Sequence, residues 1–171
     1  MQHIQTVELA SAVSSVTLSA IPADYTDLLL VCSLRTTSGD TAWNDTFLRP
    51  NGATTNLSVR SLFGNGASAG SFAVSDIRFY ANGGGSTANT FANSSIYIPN
   101  YTAAVAKSVS IDSVSEGNQT THIQAILAGL WNQTTAITSL EIVSGAGNLA
   151  IGSSISLFGI TAGSDGITAV S

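Results

Sequence analysis

From residue 123 to 131 the chain reads IQAILAGLW, and Ile123, Ala125, Leu127, Gly129 and Trp131 fall on one side of an extended backbone. The same two-residue period runs through 104–115, where Val105, Lys107, Val109 and Ile111 share one parity and Ala106, Ser108, Ser110 and Asp112 the other. Val16 and Leu18 alternate with Ser15, Thr17 and Ser19, and Ile155 and Leu157 with Ser154 and Ser156. Strands are predicted near 2–9, 13–21, 26–37, 45–49, 57–63, 71–80, 92–98, 104–115, 121–131, 136–143 and 153–160. Turn chemistry separates them: Ser38-Gly39-Asp40, Asn51-Gly52, Asn65-Gly66, Asn82-Gly83-Gly84-Gly85, Glu116-Gly117-Asn118 and Gly145-Ala146-Gly147-Asn148. Strands this short and evenly spaced, with no helical period between them, predict an all-β sandwich or barrel. No fixed repeat is visible, which disfavours a propeller or solenoid. A single domain over residues 1–161 is expected, followed by a short, flexible C-terminal tail, 162–171, reading AGSDGITAVS.

Composition changes the picture of the outer faces. Only 9% of the 171 residues are charged, while 25 Ser and 19 Thr keep the chain polar through hydroxyls. The strand faces opposite the apolar ones are built from Ala and Ser where a solitary domain would carry Lys and Glu. With net charge −5 and only five Lys and Arg, a nucleic-acid partner is excluded, because few phosphates could be neutralised. The longest apolar run, Leu28 to Cys32, is far below the ~20 residues that span a bilayer, so no membrane partner is expected. MQHIQTVELA lacks the pattern of a signal peptide. The N-x-S/T sequons at Asn44, Asn56, Asn93, Asn100, Asn118 and Asn132 are read as accidents of an Asn, Ser and Thr-rich composition. Cys32 stands alone inside DLLLVCSL and reads as a buried, inert thiol.

Candidate chemistry is sparse. His3 and His122 have no acidic or cysteine partner at ligand spacing, so no metal site and no cofactor is expected. The carboxylates Asp24, Asp40, Asp45, Glu116 and Asp165 lie in or beside turns, where Asp commonly closes the turn, and no enzyme or catalytic residue is assigned. Gly83-Gly84-Gly85 opens no helix and cannot cradle phosphate. Trp43, beside a Gly-Asp turn, and Tyr101, in the Pro-Asn-Tyr-Thr corner, are the aromatics expected to be exposed and able to stack on a sugar ring. Trp131 shares the apolar parity of its strand and is expected in the core. Arg49 and Arg78 alternate with apolar residues and are expected either to pair with Asp45 or Asp76 or to clamp a partner.

Three stretches resemble a known group: IPADYTDLLLVCSLRTT (21–37), SSIYIPNYTAAVAKSVSIDSVSEGN (94–118) and SSISLFGIT (153–161). They are similar to small virion proteins of tailed bacteriophages, in which a YTDL entry strand, an IPNY…KS strand pair and a closing S-L-[YF]-G-I strand recur. The resemblance runs from about residue 4 to 161 and lies in structural residues. It implies an antiparallel, jelly-roll-like β-sandwich of about 8–11 short strands, located in the virion and assembled in the bacterial host cytoplasm. The function expected from it is capsid decoration (cement), with the major capsid protein as a partner. The uncharged Ser, Ala and Thr strand faces are themselves expected to be contact surfaces with other copies of the chain, most simply around a threefold axis as a homotrimer, since they approach closely without desolvating charges. The alternative expectation is a tail-fibre or baseplate module that binds a host glycan. The termini, with Met1, Gln2, His3, Ile167 and Val170, are expected to touch the capsid or a neighbouring copy.

Overall fold

Alternation of apolar and hydroxyl-bearing residues leaves each strand one face to bury, and two sheets packed together satisfy that demand. The computed structural model describes residues 1–39 and 42–161. Twelve strands occur among them: β1 (Gln2–Glu8), β2 (Ser15–Leu18), β3 (Asp27–Leu34), β4 (Trp43–Pro50), β5 (Leu57–Gly64) and β6 (Ala69–Val74). The second half contributes β7 (Arg78–Asn82), β8 (Ala92–Ile98), β9 (Lys107–Ser115), β10 (Ile123–Trp131), β11 (Leu140–Ser144) and β12 (Ser154–Ile160). All the strand pairings are antiparallel. One sheet has the order β1-β12-β3-β8-β9-β10-β5-β6 and the other β2-β11-β4-β7.

The all-β sandwich is therefore present, with twelve strands in place of eight to eleven. The jelly-roll refinement is not carried by this order, which puts eight strands in one sheet and four in the other. The run 71–80, expected as one strand, is two. β6 ends at Val74 in the large sheet, Ser75 to Ile77 cross the edge, and β7 belongs to the small sheet. Ile77 is fully buried at the crossing. Gly129 on β10 leaves room for it: a Cβ there would stand 3.1 Å from Ile77 Cγ2.

The core lies between the sheets. Leu28, Leu30, Ile96, Ile98 and Ile111 of the large sheet face Leu18, Leu48, Phe79, Leu140 and Ile142 of the small one, and all ten are buried. Trp131 is buried as its parity predicts. Among the described residues no helix is long and apolar enough to cross a membrane. Residues 162–171, with Ile167 and Val170, lie outside the described residues.

Candidate functional site

Strand register lines up the residues that point away from the core of the large sheet. One row crosses all eight strands: Thr6, Ser156, Val31 and Ser95 lead into Asp112, Ile126, Leu62 and Ser71. The next row runs from His3, Phe158, Leu29 and Tyr97 to Ser110, Ala128, Arg60 and Ala73. In these two rows the charged side chains are one carboxylate, Asp112, and one guanidinium, Arg60. Neither belongs to an ion pair among the described residues.

The Ala and Ser character expected from β9 holds for this face, but the face is also more apolar than β9 alone suggests. Ile126 is 65% exposed and Leu62 63%, and the two sit directly opposite each other on β10 and β5. Leu130, Val31 and Tyr97 are exposed on the same face. Five of the eight large exposed hydrophobic side chains among the described residues are therefore on this one surface; Met1, Val105 and Ile151 are the others. Beside the Leu62–Ile126 ridge the surface dips where Ser108, Ser110 and Ala128 present short side chains, a depression of about 400 Å³. Tyr97 is fixed at the rim: its hydroxyl donates to Asp27 Oδ2 at 2.7 Å, and Asp27 Oδ1 accepts from Asn100 N at 2.8 Å. The bond to Asp27, followed by partial burial, raises the Tyr97 pKa above its ordinary value.

The residues singled out from sequence fare differently. Tyr101, expected to be exposed, is 0% exposed. Asn100 takes a left-handed turn (φ 50°), the Tyr101 side chain packs in the core, and its hydroxyl donates to Pro22 O. A buried ring offers no platform to a sugar, so this expectation is corrected. Trp43 is half-buried and packs against the core. Arg78 is engaged within its own chain: Nη1 lies 2.5 Å from Asp45 Oδ2, and its guanidinium carbon lies 4.1 Å from the centroid of the Phe72 ring. That contact ties the edge of the small sheet to β6 of the large one, which takes Arg78 from the role of a partner clamp. Arg49 is half-buried opposite Glu141, and its Nε has no hydrogen-bond partner. Met1, Gln2 and His3 are exposed, but Gln2 and His3 belong to β1, whose Ile4 and Val7 pack on the core. The N-terminus is thus a sheet strand and not a loose end. Cys32 is buried, and burial pushes its thiol up to about 12, so almost no thiolate forms near neutral pH.

Two cations that sequence reading left without a role are structural. Lys107 keeps the buried parity, is 0% exposed, and its ammonium donates to Ala103 O and Val105 O at 2.6 and 2.5 Å. Burial lowers its pKa. The Arg35 guanidinium donates to the carbonyls of Gly84, Ser86, Thr87 and Thr90 at 2.8–3.1 Å, a fork that pins the glycine-rich loop onto the sheet.

A second concavity, about 550 Å³, opens between the β5–β6 turn and the β9–β10 loop, with His122 in its lining. Ser115 Oγ gives its proton to Asn82 Oδ1 at 2.6 Å and so accepts from His122 Nδ1 at 3.2 Å. His122 Nε2 is then the acceptor, without a partner and closed off from solvent. Most of the polar groups around this groove serve the fold: Asn65 closes its own turn, Glu116 accepts from Asn118 N, and Gln119 donates to Gly85 O. Among the described residues no cluster of three or more His, Cys, Asp or Glu could hold a metal.

No family model, curated protein or solved structure matches this chain. What the protein does is read from its surfaces.

Proposed function

We propose that this chain is a structural virion protein of a tailed bacteriophage, a capsid decoration (cement) protein that works mechanically and without catalysis. The observation that carries the reading is the outer face of the large sheet, eight strands wide, rich in Ser and Ala, ridged with exposed Leu and Ile, and sparing in charge, with Glu8, Asp27, Asp112 and Arg60 as its charged side chains. Covering such a face requires little desolvation of ions, whose burial costs on the order of several kcal/mol each. Covering it within an assembly on the capsid shell adds buried area that resists pressure from packaged DNA, and weak contacts repeated over a shell reinforce one another. The likeness of 21–37, 94–118 and 153–161 to small phage virion proteins supports the same setting.

The test is the copy number per purified particle by quantitative mass spectrometry, together with binding to empty capsids. Hundreds of copies and a raised capsid disruption temperature are expected. Absence from particles overturns the reading. A few to tens of copies would move the chain to the tail, where the alternative of glycan binding belongs. That alternative has lost Tyr101 to the core and rests on Trp43; loss of glycan-array binding in Trp43→Ala is the result it requires.

A further inference from the structure

We infer that the central patch of the large sheet, on β9, β10 and β5, is closed by a second copy of this chain laid face to face about a two-fold axis. The inference rests on the reading that this face is covered in an assembly, and it names the occupant.

The first argument is area. A patch centred on β10 reaches from β8 to β6, and five strands at ~4.8 Å spacing and ~3.3 Å per residue give about 550 Å² per copy, or about 1,100 Å² for the pair, just above the ~1,000 Å² that a specific interface needs. Apolar side chains are concentrated there, as a specific interface core requires.

The second argument is charge. Asp112 lies opposite Ile126 on one side of β10, and Arg60 lies opposite Ala128 on the other side. They stand at opposite corners of a patch centred on β10, one acid and one base, without an ion pair of their own among the described residues. Arg60 is also the one Lys or Arg side chain that is exposed among the described residues; Arg35, Arg49 and Arg78 are half-buried and Lys107 is buried.

A face-to-face pair demands a patch that contains both halves of its own complement. A two-fold axis lying between the facing sheets, passing over β10 level with Leu127 and perpendicular to the line from Asp112 to Arg60, exchanges the two corners. It sets Asp112 of each copy over Arg60 of the other and brings the two Leu62–Ile126 ridges together. The ion pairs then fix the orientation, while the apolar ridge supplies the buried surface. This pairing replaces the threefold cluster expected from the sequence as the contact made by this face.

Sedimentation of the full-length chain over a range of concentrations tests it. A reversible dimer is expected, with Ile126→Asp monomeric and its thermal unfolding unchanged, because residue 126 is solvent-exposed in the single copy. Arg60→Asp and Asp112→Arg should each weaken the dimer by about tenfold or more, and the double exchange should restore it. Ala128→Cys should cross-link copy to copy with a short bismaleimide, whereas Thr17→Cys on the small sheet should not. A monomer at all concentrations, a trimer, or a double exchange that fails to restore the dimer would overturn the inference. A monomer that still binds capsids would leave the virion reading standing, and a dimer absent from particles would do the reverse.

Discussion

Lys107 occupies a position that its strand gives to apolar residues, and its ammonium is held by two backbone carbonyls with no carboxylate among its hydrogen-bond partners. Burial lowers its pKa below the ordinary 10.5. Between the folded value and 10.5 the unfolded chain binds more protons than the folded one, so this group makes stability rise with pH across that window. Below the window both states are protonated and the full desolvation cost is present. Tyr80, Tyr97 and Tyr101 have raised pKa values and act in the opposite sense at high pH, but they cancel when two variants sharing them are compared. The difference in thermal midpoint between wild type and Lys107→Met should therefore move in favour of the wild type as pH rises from 7 to 10. A difference that stays flat or moves the other way would show that the ammonium is not desolvated.

Between elements, single side chains do the joining. Asn51, at the end of β4 with φ 50°, accepts at Oδ1 from the amides of Thr138 and Ser139 and donates through Nδ2 to Ala136 O. It holds the segment that delivers β11 to its place beside β4. Asn51→Gly keeps the left-handed backbone but loses the bonds, and Asn51→Ala loses both. Chemical denaturation should rank them wild type, Gly, Ala, with the Ala variant about 2–3 kcal/mol below wild type. Arg78 joins the sheets at their edges through Asp45 and Phe72. Arg78→Lys should lose about 1 kcal/mol or more, since an ammonium cannot both meet the carboxylate and lie flat over the ring; a Lys variant as stable as wild type would remove that joint from the account. Much at this scale was legible in the sequence. β9 and β10 follow their parity residue by residue, and the Asn-Gly and Glu-Gly-Asn turns fall where expected. Other features were missed. In SFAVSDIRFY the period slips at Ser75-Asp76, with Phe72 and Val74 on one parity and Ile77 and Phe79 on the other, a break that reading 71–80 as one strand passed over; only the space over Gly129 in another strand explains where Ile77 goes. Tyr101 looked exposed because its turn is polar, while the cavity that receives it is made by distant strands. The exposed ridge hid for a similar reason: in IQAILAGLW both parities are largely apolar, and the partner Leu62 lies more than sixty residues earlier.

At the scale of the molecule the chain closes on itself, since β1 (Gln2–Glu8) pairs with β12 (Ser154–Ile160), and β12 lies between β1 and β3. The last strand described is therefore needed to complete the first, and a fold so dominated by distant pairings is expected to form in milliseconds to seconds. Every pairing described ends by Ile160. A chain stopped after Thr161 keeps all of them, and its denaturation midpoint should match the full chain within about 0.5 kcal/mol. A chain stopped after Ser153 loses β12, strands β1, and lays bare the edge of β3, so it should fail to fold and aggregate through that edge. The shorter truncation also separates folding from assembly. If residues 162–171, with Ile167 and Val170, touch the shell as the sequence suggests, the chain ending at Thr161 should be as stable as the full chain yet bind empty capsids more weakly. Equal binding would assign the shell contact to residues 1–161, and a lost fold would show that 162–171 contribute to the stability of the sandwich.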